Sequence, residues 1–320
     1  MSVLVLRALG IGDLATAVPV LRGIRAARPT EEIVLAAPAW LAPLARLTGA
    51  VDRVLPVDGI EVPRIEVPPP RLAVNLHGRG PRSHRLLAGT RPERMLAFAC
   101  PAAGFPDGPQ WTVDEHEVHR WCRMLDWYRI AASPNDLLLH RPAVRPVAEG
   151  VTIVHPGAKD PARRWPPARF AELATVLTTT GHDVVVTGSP AERWLAGRVA
   201  DRAGLPDRSV LAGQTDAGEL AALVAHARLV ICGDTGIAHL ATGYRTPSVL
   251  LFGPTPPAWW GPLLDGDRHR VLWHEERYDT AGRRAPRTGW RPPHPALDAI
   301  TVDEVLAAVG LLCAHAAAPQ

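Results

Sequence analysis

A carboxylate directly follows a glycine-rich turn near the start of the chain. Residues 7–19 read RALGIGDLATAVP and follow an apolar run, with Gly10, Gly12 and Ala15 in the pattern G-x-G-x-x-A. That pattern is typical of a turn that binds a dinucleotide's pyrophosphate at a helix N-terminus. Asp13 argues against such a site, because like charges about 4 Å apart cost on the order of 4 kcal/mol at an effective dielectric constant of 20. The predicted second strand also ends in LAAP, where a nicotinamide dinucleotide site has an acidic residue.

Asp13 therefore has two interpretations, which the residues alone leave open. It can cap the helix that follows, because the helix dipole stabilises a carboxylate in the first turn. That helix is predicted over residues 13–27, with one apolar face formed by Leu14, Val18, Leu21 and Ile24. It can also act as a general base, because the carboxyl edge of a parallel sheet faces the crevice where such folds bind ligands. A base at that position would take a proton from a hydroxyl group, an effect worth roughly 10²- to 10⁴-fold in rate.

Two later segments could bind phosphate. Residues 155–167, HPGAKDPARRWPP, place Gly157, Lys159, Arg163 and Arg164 at a strand end, ahead of a predicted helix. This arrangement is a candidate clamp for a diphosphate, and the alternative is a solvated basic loop over a packed tryptophan. Residues 231–241, ICGDTGIAHLA, place Asp234, Thr235, Gly236 and His239 between a strand and a helix. The first N–H groups of that helix would point at an anion, and the alternative is an aspartate cap with a buried histidine.

A polar loop, NLHGRGPRSHR, follows another predicted strand and suits sugar hydroxyls or an anionic acceptor. Its candidate acceptor-binding residues are Asn75, His77, Arg79 and Arg82, followed by Ser83, His84 and Arg85. The alternative is an ordinary polar loop.

Strands and helices alternate along the chain, which predicts an α/β fold with parallel sheets covered on both faces. The pattern is interrupted at the proline-rich residues 140–150 and then begins again, so these residues are the predicted linker. We expect an N-terminal acceptor-binding domain over residues 1–145 and a nucleotide-sugar-binding domain over residues 151–297. A helix over residues 298–320 is expected to pack back towards the N-terminal domain, and residues 275–297 are expected to form a long loop.

The composition limits the class of protein. A length of 320 residues with 47% apolar and 21% charged residues predicts two soluble domains, and no apolar run approaches the roughly 18 residues of a membrane span. The start of the chain does not resemble a secretory signal, so we expect a cytoplasmic location. Four scattered cysteines predict neither a zinc site nor a disulfide framework. A net charge of +3 without a basic run does not indicate a nucleic-acid partner.

Taken together, these segments resemble glycosyltransferase family nine, whose best-known members are the ADP-heptose heptosyltransferases. The likeness covers residues 4–25, 155–174, 186–192 and 211–262, in order and over both predicted domains. It implies a GT-B fold, in which two Rossmann-like doubly wound domains face each other across a cleft. It also implies an inverting transfer that needs no metal and no cofactor besides the nucleotide-diphosphate sugar, most directly ADP-heptose.

The resemblance also implies roles for individual residues. Asp13 matches the candidate base, with Gly10 and Gly12 forming its turn. The segment with Asp234, Thr235, Gly236 and His239 matches the site for the donor's diphosphate and sugar. Glu192, together with Thr215, is assigned to the nucleoside.

One position departs from the family. The family usually has a lysine two residues before its Trp-Pro pair, where this chain has Arg163. A guanidinium keeps the charge but differs from an ammonium in geometry and reach. Lys159 is the second candidate for the same role.

The acceptor and the reaction stay open at this stage. A glycan, a glycolipid or a natural product could accept the sugar, and contact with a membrane surface would suit a glycolipid. The alternative functions are a nucleotide-sugar epimerase of the same architecture, a non-catalytic nucleotide-sugar-binding module and, third, a dinucleotide oxidoreductase.

Overall fold

The structure is a computed structural model and describes residues 2–275 and 293–317. The chain divides into two compact units, Met1–Arg141 and Pro142–Gln320. The boundary between them lies within residues 140–150, the proline-rich segment that the sequence predicts to be the linker.

The first unit is an α/β layer structure built on a parallel sheet. Its elements are β1 (Ser2–Leu6), α1 (Ile11–Thr16), α2 (Val18–Ala27), β2 (Glu32–Ala37), α3 (Ala42–Arg46), β3 (Arg53–Pro56), β4 (Leu72–Asn75), α4 (Arg82–Ala88), β5 (Arg94–Leu96) and α5 (Glu117–Trp127). The strands lie in the order β3-β2-β1-β4-β5, and every neighbouring pair is parallel.

The second unit repeats this architecture. Its elements are β6 (Thr152–His155), α6 (Pro167–Thr179), β7 (Val184–Val186), α7 (Arg193–Ala203), α8 (Ala217–Ala225), β8 (Leu229–Gly233), α9 (Gly236–Tyr244), β9 (Ser248–Leu251), α10 (Pro257–Trp260), β10 (His269–Leu272), α11 (Pro295–Asp298) and α12 (Val302–Ala317). The strand order is β10-β9-β8-β6-β7, again with parallel pairs.

The central strands are short and fully buried, because helices cover both faces of each sheet. Residues 3–6 of β1 are at most 1% exposed, as are residues 230–232 of β8. Strands buried on both faces appear in the sequence as continuous apolar runs, which explains why they could be recognised. The predicted doubly wound α/β fold is confirmed in both units.

Each sheet has one point where the strand order reverses direction. In the first unit β1 lies beside β4, with Leu6 opposite Asn75. In the second unit β6 lies beside β8, with His155 opposite Cys232. Loops that leave the carboxyl ends of these two strand pairs diverge, and folds of this type bind ligands in the resulting crevice.

The first helix differs from the expectation of one helix over residues 13–27. Helix begins two residues earlier, at Ile11, and is divided at Ala17 into α1 and α2. Pro19 lies in the first turn of α2, where the missing N–H of a proline costs little. The expected apolar face is nevertheless buried throughout: Leu14, Val18, Leu21 and Ile24.

The last helix, α12, packs against α6, β9 and β10 of the second unit. The expectation that it packs back towards the N-terminal domain stays a prediction. The apolar side chains of α12 complete the core of the second unit: Val302, Val305, Ala308, Val309 and Leu312. Most of the loop expected at residues 275–297 lies outside the described residues.

Candidate functional site

Asp13 lies in the first turn of α1, directly beyond the carboxyl end of β1. Its Oδ2 accepts a hydrogen bond from the backbone N–H of Gly10 at 3.2 Å, so the side chain does cap the helix. Its Oδ1 lies 3.5 Å from Nη2 of Arg7, and the side chain is 29% exposed. The two interpretations of Asp13 are therefore compatible, because the capping carboxylate is still accessible to solvent.

Arg7 is a functional candidate that the sequence analysis missed. Arg7 is 1% exposed. Its guanidinium donates hydrogen bonds to Leu76 O, to Thr16 Oγ1 at 3.2 Å and to Glu117 Oε1 at 3.0 Å. Its Nε donates to the backbone carbonyl of Asp13. The one signal in the sequence was a charged residue at the end of an otherwise apolar strand, because an arginine at such a position is rarely buried without a partner.

Four residues after β4 were candidates for acceptor binding, and they differ in placement. Asn75 is buried, and its amide donates to Ser83 Oγ and contacts His84 Nδ1, both at 3.0 Å. It organises the loop from within, and its Oδ1 accepts from the N–H of His77 at 3.1 Å. Arg79 and Arg82 are exposed, and Arg82 pairs with Glu61.

His77 is the member of this loop that shares the electrostatic environment of Asp13. Burial and the positive charge of Arg7 lower its pKa to about 4, against the opposing effect of Asp13. The imidazole is therefore neutral near pH 7. Its Nδ1 is buried and has no hydrogen-bond partner among the described residues.

In the second unit, the loop after β6 lies against the loop after β8. Nη1 of Arg163 is 3.1 Å from Oδ2 of Asp234, and the two side chains are 39% and 6% exposed. The approach is close at the backbone, because a Cβ atom on Gly233 would lie 3.0 Å from the carbonyl oxygen of Arg163. Lys159 is exposed at the start of the same loop.

The basic loop also has the packed tryptophan of the alternative interpretation. Trp165 is fully buried, and its Nε1 donates to the carbonyl of Ile300 at 3.0 Å. The ring therefore anchors the loop, while Arg163 on the opposite side remains partly exposed. The two interpretations of this loop are compatible.

The strand-to-helix turn after β8 differs from the simple capping alternative. Thr235, rather than Asp234, is the N-cap of α9, and the cap residue makes no side-chain capping bond. The first N–H groups of a helix have no partner within the helix, so they can donate to an anion. His239 is half-buried, with its ring 5.7 Å from that of Trp260 in an edge-on contact.

Glu192 lies beside the same edge of the sheet. Its Oε2 accepts from the N–H of Ser189 at 2.9 Å and from its hydroxyl at 2.8 Å, and Oε1 is 3.6 Å from Arg164. Burial acts to raise the pKa of Glu192, but the Ser189 hydrogen bonds and the charges of His155 and Arg164 leave it lowered. Thr215 is half-buried just before α8. The roles assigned to Glu192 and Thr215 stay predictions.

Metal ligands do not cluster in the described part of the chain: residues 2–275 and 293–317 contain no group of three His, Cys, Asp or Glu side chains placed to bind an ion. Over the same residues, every helix falls short of the length and apolarity needed to span a bilayer.

Comparisons with known proteins place this architecture in a known group. The structure of E. coli ADP-heptose lipopolysaccharide heptosyltransferase II has a TM-score of 0.75 to this chain at 22% identity, covering 99% of this chain and 100% of that one. Such a likeness concerns the fold. The two parallel-sheet units therefore define a GT-B protein with two Rossmann-like units.

The family follows from the sequence. Residues 93–290 match the profile of glycosyltransferase family 9 (heptosyltransferase), which is more than half of the chain. This chain belongs to glycosyltransferase family 9, and the predicted resemblance is confirmed. Asp13 lies outside the matched range.

Two curated relatives are named as heptosyltransferases. The chain is 35% identical over 116 residues to lipooligosaccharide heptosyltransferase 2 of Haemophilus influenzae, covering 34% of this chain and 33% of that protein. It is 36% identical over 155 residues to lipopolysaccharide heptosyltransferase 1 of Pseudomonas aeruginosa, covering 46% and 42%. The matches thus span less than half the length of these relatives.

Proposed function

We propose that this protein transfers a sugar from a nucleotide-diphosphate sugar to a hydroxyl group of an acceptor. The observation that carries the proposal is the contrast between the two strand-reversal points. The first unit offers a partly exposed carboxylate, Asp13, whereas the second offers helix N–H groups and the cation Arg163. Membership of a family of glycosyltransferases supports the same conclusion.

The proposed reaction is a single displacement. The acceptor oxygen forms a bond to the anomeric carbon of the donor while the bond from that carbon to the diphosphate oxygen breaks. The hydroxyl proton goes to the carboxylate of Asp13, and the bonding electron pair leaves with the nucleoside diphosphate. Because attack and departure occur on opposite faces of the carbon, the anomeric configuration inverts.

Charge on the leaving diphosphate must be stabilised as it develops. The N–H groups at the start of α9, the guanidinium of Arg163 and the imidazole of His239 are the groups that we assign to this role. A guanidinium can bond two phosphate oxygens at once, so Arg163 can replace the family's usual lysine. With these donors in place, the proposed reaction needs no metal ion.

Donor and acceptor are proposed from the relatives. The related proteins are named as heptosyltransferases of lipooligosaccharide and lipopolysaccharide, which supports ADP-heptose as the donor and a glycan or glycolipid hydroxyl as the acceptor. Glu192 and Thr215 are the proposed contacts to the nucleoside. His77, which interacts electrostatically with Arg7 and Asp13, is the strongest acceptor-binding candidate of its loop.

The experiment uses the full chain with ADP-, GDP-, UDP- and dTDP-sugars in a thermal-shift screen, followed by transfer assays with the stabilising donor. We expect ADP-heptose to raise the melting temperature, and we expect a product of inverted anomeric configuration by NMR, with the rate unchanged by a chelator. Binding without turnover on any acceptor would indicate a binding module. Inversion at C2 of the donor without an acceptor would indicate an epimerase, and either outcome would overturn the proposal.

A further inference from the structure

Four charged side chains, beginning with Asp13, form a series of ion pairs in which the sign of the charge alternates. Nη2 of Arg7 lies 3.5 Å from Oδ1 of Asp13 and 3.0 Å from Oε1 of Glu117. The other oxygen of Glu117 pairs with Nη1 of Arg120. A single guanidinium nitrogen therefore joins the proposed base to a carboxylate that lies on α5, more than a hundred residues away in the sequence.

This network is buried well beyond what a helix cap needs. Arg7 is 1% exposed, and Glu117 and Arg120 are each 6% exposed. The indole N–H of Trp121 donates to Glu117 Oε1 at 2.7 Å, and the guanidinium of Arg7 lies 5.0 Å from the centre of that ring. Buried ion pairs cost desolvation energy that apolar side chains of similar size would avoid, so they are weak evidence for a role in stability alone.

The order of charges has a chemical consequence for a base. Arg7 by itself would stabilise the carboxylate of Asp13 and make it a poorer proton acceptor. Glu117 forms an ion pair with the same guanidinium and compensates its charge. The guanidinium also holds the base in one orientation. It donates hydrogen bonds to Glu117 and to the Asp13 backbone carbonyl, and it forms an ion pair with the Asp13 carboxylate at 3.5 Å.

We propose that Glu117 is a positioning residue for proton transfer, which acts through Arg7 to orient the Asp13 carboxylate and to keep it basic. The proposal rests on the proposed function in one respect, namely that Asp13 receives the proton.

The remaining charged groups around Arg7 are consistent with this assignment. Burial acts to raise the pKa of Glu117, but the charge of Arg7, hydrogen bonds from Arg7 and Trp121 and the charge of Arg120 leave it below its usual range. His77, in the loop after β4, interacts electrostatically with Arg7 and Asp13 and is neutral near pH 7. Glu115 bonds to Arg123 and lies 3.9 Å from Arg120, so it contributes at the far end.

The test is Glu117→Gln in the full-length protein, with the titration of the Asp13 carboxyl carbon followed by carbon-13 NMR and assigned by its loss in Asp13→Asn. We expect the midpoint to move to lower pH by about one unit, a tenfold loss of proton affinity. In transfer assays the acidic limb of the pH profile of kcat should also move to lower pH. The value of kcat should fall while KM for the donor stays unchanged.

Two further variants define the controls. Glu115→Gln removes a neighbouring carboxylate that bonds to Arg123, and its titration midpoint should stay at the wild-type value. Glu117→Asp retains the charge and should restore most of the titration behaviour. An unchanged or upward midpoint in a folded Glu117→Gln protein would overturn the proposal.

A third variant covers the case in which Glu117→Gln does not fold. Arg7→Lys retains the cation but loses the planar set of donors, in which Nε and Nη1 bond the carbonyls of Asp13 and Leu76 while Nη2 lies near both carboxylates. It should lower kcat about tenfold at unchanged donor KM, and an unchanged kcat would overturn the proposal. The NMR titration does not require sugar transfer. It therefore tests the coupling between Glu117 and Asp13 even if the Asp13→Asn protein still transfers sugar, which would show that Asp13 is not the base.

Discussion

Arg163 forms an ion pair with Asp234 at the place where the proposed donor diphosphate binds. An incoming diphosphate would compete with this carboxylate for the guanidinium, while the 39% exposure of the side chain leaves part of it accessible. Charge-assisted hydrogen bonds to phosphate are about twice as strong as neutral ones, so one such cation can decide donor affinity.

Arg163→Ala is expected to weaken binding of the nucleotide-diphosphate donor about tenfold or more, measured by calorimetry. Lys159→Ala is the matched control, because Lys159 is the exposed cation of the same loop. Arg163→Lys keeps the charge beside buried Asp234 and should retain most of the affinity. Equal losses in the alanine variants, or a larger loss in Lys159→Ala, would show that the charge on the leaving diphosphate is neutralised elsewhere in the loop.

The residues around Asp13 differ in whether the sequence alone predicts their place in the site. Asp13 itself could be selected because its charge conflicts with the pyrophosphate site that the glycines suggest. Arg7 and Glu117 could not be paired, since their contact joins a strand end to a helix 110 positions later. Nothing local in either segment indicates that contact.

Two loops pack closely against each other at the proposed donor site. The end of β8 touches the turn at 161–163 through Gly233, where a Cβ atom would meet the Arg163 carbonyl at 3.0 Å. That distance is shorter than an ordinary contact, so a side chain at this position would displace the backbone that carries Arg163.

Gly233→Ala is therefore expected to reduce donor affinity several-fold while the chain stays folded, as measured by calorimetry and circular dichroism. Gly197→Ala is the control, because the corresponding Cβ atom on α7 has no neighbour within 4 Å. That control should bind donor normally and gain up to about 1 kcal/mol of stability from helix propensity. Wild-type donor affinity in Gly233→Ala would mean that the spacing of the two loops does not determine the site.

One element differs from expectation for a physical reason. A single helix was expected over residues 13–27, but Pro19 fits best in a first turn, and the chain divides into α1 and α2 there. The sequence of a helix does not by itself identify the elements that cover it. Long-range packing places α12 in the core of the second unit.

Across the whole molecule, the architecture was the most predictable feature. Buried parallel strands leave continuous apolar runs, and the order of the motifs in the sequence alone matches the family pattern along both units. The family profile confirms that order over residues 93–290. Cytoplasmic location and independence of metal stay predictions, because neither is determined by the arrangement of these two sheets.

The proposed chemistry is divided between the units: Asp13 of the first unit activates the acceptor, and the second unit binds the donor. Its most direct test measures sugar transfer and donor affinity together in the full-length Asp13→Asn protein. Asparagine retains the size of the side chain but cannot take a proton, so transfer should fall by roughly 10²-fold or more while the donor Kd stays within about twofold. Near-normal transfer by a folded Asp13→Asn protein would contradict the central claim.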